Sequence, residues 1–157
     1  MDTEGLFAPE TRQEAREYYE TLAPAAGAVV RETARAMSFD SEEYDRRVTG
    51  EVVDTAREAL FASLLAVTVG TREEYETWCD DHEAEPIELG SEHVDNVVWH
   101  AAPFAEVVVA ATFQDEREAA VGTLRRQAFG RIYRDVLVEQ VDSDGSEVRT
   151  EGAGNDA

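Results

Sequence analysis

The sequence predicts an α+β fold in which N-terminal helices are followed by a β-α-β-β-β-α unit. Up to residue 64 the apolar residues recur every three or four positions, which is typical of amphipathic helices. From residue 65 onwards, short apolar or alternating segments are separated by helical patterns, as expected for strands. Because neighbouring strands are close enough in sequence for hairpins, we expect a mixed or antiparallel sheet with helices packed on it.

The first helix is marked by a capping box, since Thr11 is followed three positions later by Glu14. This helix is expected to run to about Leu22. It follows a short lead-in, from which Leu6 and Phe7 are expected to dock on the domain. The predicted order of elements therefore begins with a helix.

Three more helices are predicted before the sheet. Pro24 suits the first turn of the second helix, whose last inward-facing residue is Met37. Asp40 is suited to cap a short third helix, and Thr49 to cap a longer fourth helix that ends near Leu64. The first 64 residues are therefore expected to be mainly helical.

Four strands and one helix are predicted next. Thr71 with Glu74 forms a second capping box, which opens the helix after the first strand. The last strand is apolar on both faces and is expected in the middle of the sheet, whereas Pro86 suits an edge strand or a strand start. The predicted strands cover residues 65–69, 86–89, 94–101 and 105–113.

The C-terminal part contains a helix followed by a tail. Acidic residues at 115, 116 and 118 suit the N-terminal end of a helix that runs to about residue 138. The remaining residues are mostly polar and acidic, with little to bury. We therefore expect a single α+β domain at residues 1–138 and a disordered acidic tail at residues 139–157.

Charge is the strongest signal in the composition. The 157 residues include 35 acidic and 14 basic side chains, and every basic residue is Arg, so the formal net charge is −21. Repulsion between these charges is largely screened in molar salt, which indicates a halophilic protein. A phosphate backbone requires clustered cations, so nucleic acid is a disfavoured partner.

The expected location is the cytoplasm. The single cysteine, Cys79, excludes an internal disulfide and fits a reducing compartment. The N-terminal residues lack the basic and apolar regions of a secretory signal, and no apolar run is long enough to span a bilayer. We therefore expect no membrane association.

Four segments of the chain resemble a haloarchaeal family of uncharacterised proteins. The resemblance extends over about residues 1–138 and implies a haloarchaeal source, in agreement with the charge. No activity is assigned to that family, so the resemblance implies no reaction and no functional residue. The segments are RRVTGEVV (46–53), VGTREEYETWC (69–79), NVVWHAAPF (96–104) and TFQDEREAAVGTLRRQAFGRIYRD (112–135).

All the Cys and His residues lie close together in the sequence. Cys79 and His82 have a Cys-x-x-His spacing that a Zn²⁺ site can use, and His93 and His100 are the remaining potential ligands. The alternative interpretation is structural, with Cys79 facing inward and His82 at the end of a helix. An odd separation also places His93 and His100 on opposite faces of one regular strand.

A second candidate is the turn that follows His100. Glu106 begins the next strand, and a carboxylate next to a histidine orients a general base. No activated nucleophile, nucleophile elbow, dinucleotide motif or phosphate loop accompanies this pair. The simpler interpretation places His100 at a hydrogen-bonded turn, with Trp99 and Phe104 in the core.

A third candidate is the arginine cluster of the C-terminal helix. At 100° per residue, Arg125 falls on the apolar stripe of this helix, and so does Glu118. Either they form structural ion pairs with the sheet, or Arg125 lines an interface or an anion pocket, which suits the guanidinium fork. The cluster consists of Arg125, Arg126, Arg131 and Arg134.

These observations favour a non-enzymatic interaction or regulatory protein. It is expected to work without a cofactor and to self-associate, or bind a protein partner, through the N-terminal helices or the arginine-rich helix. The alternative is a small metal-binding protein or metal-dependent enzyme with Zn²⁺ bound by Cys79, His82 and His100. The residues expected to bind a partner are Arg125, Arg126, Arg131, Arg134, Trp99 and His100.

Overall fold

The computed structural model describes residues 1–137, and a five-stranded mixed sheet lies at their centre. The strands are β1 (Asp2–Glu4), β2 (Val67–Thr71), β3 (Glu85–Leu89), β4 (Asn96–Ala102) and β5 (Val107–Phe113). Their order is β1-β2-β4-β5-β3, with β3 and β5 parallel and the other neighbours antiparallel. The predicted α+β class is therefore confirmed, while the tail predicted at 139–157 lies outside the described residues.

Six α-helices occur within residues 1–137. Thr11, Asp40, Thr49 and Thr71 each accept a hydrogen bond from the backbone N–H three residues later, as the sequence predicts for helix caps. The last helix continues directly into a π-helix (Phe129–Tyr133) and a further α-helical turn. The helices are α1 (Arg12–Thr21), α2 (Ala23–Ala36), α3 (Ser41–Arg47), α4 (Gly50–Ser63), α5 (Arg72–Asp81) and α6 (Arg117–Ala128).

Three of the four predicted strands begin two residues later than expected. Leu65 forms an isolated bridge with Phe7, and β2 begins only at Val67. Ala105 belongs to a 3₁₀ turn between β4 and β5, and residues 94–95 precede β4. Apolar character alone does not distinguish a paired residue from a buried connecting residue. As predicted, β5 is an interior strand and β3, which contains proline, is an edge strand.

The first strand, β1, was not predicted, since the expected order of elements begins with a helix. Residues 2–4 nevertheless pair with β2, and Arg117 of α6 forms ion pairs with the two carboxylates of this strand. Its three residues are polar, so no apolar alternation reveals it in the sequence. Of the two residues expected to dock, Phe7 stacks on Tyr18 with ring centroids 4.5 Å apart, whereas Leu6 is 74% exposed.

Gly5 turns the chain between β1 and the bridge at Leu65. Its φ is 107°, and a Cβ at this position collides with the carbonyl oxygen of Leu65. We expect Gly5→Ala to lower the free energy of unfolding by about 1–2 kcal/mol and to speed amide exchange in β1. Urea unfolding and hydrogen exchange measure both effects. Gly50→Ala, where a Cβ meets nothing within 4 Å, is the control, and an equal loss in both variants would contradict the prediction.

Helices cover the two faces of the sheet unequally. On one face α1, α4 and α6 contribute to the larger core, which contains Phe61 and Leu124. On the other face, within residues 1–137, the packed helix is α5, whose Tyr75 lies against Trp99. The helix α2 packs on α4 and forms an outer layer. Within the described residues, no helix has the length and apolar character needed to cross a bilayer.

Candidate functional site

The four arginines predicted as a cluster do not form one surface. Arg125 points inward, and its Nε donates to the carbonyl oxygen of Leu65 at 2.9 Å. Arg126 is exposed and lies near α4, while Arg131 and Arg134 line two other depressions of the surface. Arg125 therefore connects α6 to Leu65, just before β2, and the other three lie at separate places on the surface.

Trp99 and His100 are adjacent on β4, so their side chains lie on opposite faces of the sheet. Trp99 packs beneath α5, whereas His100 points towards the end of α6. Each is only 2% exposed. The two side chains are therefore buried in different layers and do not form a joint binding site.

Both ring nitrogens of His100 are engaged. Nδ1 lies 2.6 Å from the carbonyl oxygen of Ala66, and Nε2 lies 2.7 Å from the hydroxyl of Tyr133. Because a carbonyl only accepts, Nδ1 donates and Nε2 accepts the Tyr133 proton. The pKa of His100 is lowered by burial and by the charge of Arg125, against the hydrogen bond to Ala66, which raises it. The neutral ring thus connects β4 to the π-helix, and Glu106 does not orient it.

The other residues of the zinc hypothesis lie across the sheet from His100. Cys79 and His82 are at the end of α5, where His82 stacks on Trp78 with ring centroids 4.0 Å apart. The Cys79 thiol lies beside the buried Tyr75, and burial raises its pKa. The three zinc candidates are therefore not brought together. Among residues 1–137, no group of three or more His, Cys, Asp or Glu side chains is placed to hold a metal ion.

A groove of about 300 Å³ runs between α2, α3 and α4, and we call it the helical groove. Val29 and Val52 line it and remain 45% and 41% exposed. Its only charged lining residue is Arg47, whose guanidinium lies 5.6 Å from the centre of the Phe39 ring. The lining residues are Val29, Val30, Thr33, Ala34, Phe39, Arg47, Val48, Val52, Thr55, Ala56 and Ala59.

A second depression, of about 290 Å³, lies where the start of α1, the β4–β5 turn and the end of the last helix meet. We call it the arginine cleft, because Arg12 and Arg131 line it. Phe104 forms one wall, and its ring lies 5.9 Å from that of Tyr133. This wall of the cleft therefore contacts Tyr133, the residue that hydrogen-bonds His100.

Of the residues that line these two depressions, only Arg131 was singled out from the sequence as a candidate binding residue. Val29 had a detectable signal, since two consecutive valines on a helix point in directions about 100° apart and widen its apolar face. Arg12 had none, because only the tertiary fold brings α1 next to Arg131. Phe104 was assigned to the core, and it is in fact half-buried at the cleft.

Comparison with known proteins identifies a family to which the chain is similar. The model of a family of unknown function (DUF5809) matches residues 6–134, which include nearly all of the described domain. No curated protein and no solved structure matches the chain. The matched residues contain every lining residue of the helical groove, whereas the arginine cleft extends to Val136 just beyond them.

Proposed function

The chain belongs to the DUF5809 family, whose function is unknown, and we propose that it is a non-enzymatic interaction protein that self-associates through the helical groove. The observation that carries this proposal is the groove itself. Its walls are almost entirely apolar, although the chain as a whole has a net charge of −21. Exposed apolar surface of this kind marks interaction sites.

The charge distribution favours a second copy of the chain as the occupant. Two copies of so acidic a protein repel each other over most of their surfaces. The helical groove has no acidic lining residue, so apposed grooves bring no carboxylates together. In a two-fold symmetric dimer, Val29 of each copy packs against Val52 or Phe39 of the other, since such interfaces are self-complementary.

The proposal includes the environment in which the dimer forms. Concentrated salt, such as that in the cytoplasm of a halophilic archaeon, screens the repulsion between the two copies and strengthens apolar association. Every one of the 14 basic residues is Arg, which is consistent with an origin in a halophilic archaeon. We therefore expect association to increase, and not decrease, as salt is added.

Native mass in about 2–3 M KCl tests the proposal, because repulsion between copies is then screened. Wild-type protein should be dimeric at about 100 µM, whereas Val52→Glu should raise the dissociation constant by roughly 30-fold or more, because it buries an unpaired carboxylate. Sedimentation equilibrium measures the constant, and circular dichroism checks that the variant is folded.

Leu6→Glu is the matched control, because Leu6 is an exposed apolar residue that does not line the groove. It should leave the dimer intact. A monomeric wild-type protein would overturn the proposal. So would a dimer that Val52→Glu leaves unchanged, or one that Leu6→Glu disrupts equally.

A further inference from the structure

We propose that the arginine cleft is a binding site for a small monocarboxylate with an apolar body, such as an aromatic or branched aliphatic acid. The site is separate from the helical groove, and nothing in the proposal depends on self-association. Three features lead to it: two arginines without acidic partners, apolar walls contributed by several elements, and a net charge that matches a single anionic group.

The two arginines are not neutralised by carboxylates, a property they share with six other arginines of residues 1–137. Within residues 1–137, neither Arg12 nor Arg131 forms an ion pair, although there are many carboxylates on the surface. Arg131 donates from Nε to Gln127 at 3.0 Å, which leaves both Nη groups for a ligand. Arg12 lies over the ring of Phe104, 5.6 Å from its centre. Both cations are therefore positioned by contacts that do not neutralise them.

The walls of the cleft supply an apolar surface. They come from β3, the β4–β5 turn, the start of β5 and the last helix, so the shape of the cleft depends on the complete fold. A volume of about 290 Å³ is at the lower end of ligand pockets, which limits the ligand to a small molecule. The apolar lining residues are Ile87, Phe104, Ala105, Val107, Ile132 and Val136.

The charge of the cleft distinguishes a carboxylate from a phosphate. Asp135 is the only acidic lining residue, so two arginines and one aspartate give a formal charge of +1. This balances a monoanion, and a guanidinium fork matches the two oxygens of a carboxylate. A phosphate dianion would remain under-neutralised and would have no apolar body for the walls to contact.

Benzoate is the probe, and its binding is followed by two-dimensional NMR at constant KCl concentration. We expect saturable shifts of the amides of residues 104–107 and 131–136. Benzyl alcohol has the same ring without the charge, and inorganic phosphate has the charge without the ring, so each should bind roughly tenfold more weakly or worse.

Three variants test the assignment of residues. Arg131→Gln should weaken benzoate binding by roughly tenfold, because it removes the charge-assisted hydrogen bonds. Asp135→Asn should tighten binding several-fold, an increase that misfolding cannot produce. Arg35→Gln, on α2 and outside the cleft, removes the same charge from the chain and should change the affinity less than twofold.

Each of the following results would overturn the proposal. The first is equal binding of benzoate and benzyl alcohol, which would mean that the arginines play no part. The second is a loss of affinity in Arg35→Gln as large as in Arg131→Gln, which would indicate only a general charge effect. The third is the absence of any shift among the amides of the cleft up to the solubility limit of benzoate. The fourth is a set of shifts at the helical groove instead.

Discussion

Replacing Phe61 with alanine should lower the free energy of unfolding by about 3–5 kcal/mol, the range for truncating a fully buried phenylalanine. Phe61 has no exposed surface and lies where α4 meets both the sheet and the last helix. Its ring contacts four others, with centroids 5.2 Å away for Tyr133, 5.5 Å for Phe7, 5.9 Å for Phe129 and 6.0 Å for Tyr19. No small movement of one neighbour fills the resulting cavity.

Urea unfolding at constant salt measures this effect. Phe113→Ala is the matched control, because Phe113 is also a core phenylalanine but is only half-buried at the end of β5. We expect it to cost roughly half as much, in proportion to the apolar area that it removes from water. Equal costs for the two variants would show that the aromatic cluster around Phe61 has no special weight in stability.

Lowering the pH below about 6.5 should destabilise the wild-type protein more steeply than a His100→Gln variant. Burial holds the pKa of His100 below its usual value in the folded state, and Arg125 adds to this effect. Between the folded and unfolded pKa values, the unfolded chain binds more protons. Stability therefore falls with falling pH, by about 1.4 kcal/mol per unit for this one group, until the folded pKa is reached.

The readout is the slope of unfolding free energy against pH between about 7.5 and 5, where histidine titrates. Absolute stability is not the readout, since the variant also loses hydrogen bonds to Ala66 and Tyr133. His93→Gln, in an exposed turn before β4, should keep the wild-type slope. If His100→Gln retains that slope as well, protonation of His100 is not what destabilises the fold in acid.

Local signals in the sequence were sufficient for most of the secondary structure. Thr11, Asp40, Thr49 and Thr71 each begin a helix because a short oxygen-bearing side chain satisfies a backbone N–H that the helix leaves free. The apolar residues of β5 indicated an interior strand, since only a strand covered on both faces is apolar throughout. These features depend on neighbours within a few residues.

Features that depend on distant residues were missed. β1 is polar, and it is held by pairing with β2 and by Arg117, neither of which is close in sequence. The apolar stripe of the last helix did include Arg125, but its partner is a carbonyl oxygen at Leu65, which no sequence pattern marks. The arginine cleft is a third case, because Arg12 and Arg131 meet only once α1 has packed against the end of the last helix.

The pairing of β1 with β2 and its ion pairs with Arg117 have a consequence for the biosynthesis of the protein. Asp2–Glu4 leave the ribosome before β2, with which they pair and which follows more than sixty residues later. Arg117 is made later still, 113 residues after Glu4, and Arg125 follows it. β1 therefore depends on residues that are made much later: its pairing with β2 must wait until β2 has left the exit tunnel, and its ion pairs with Arg117 must wait until α6 has.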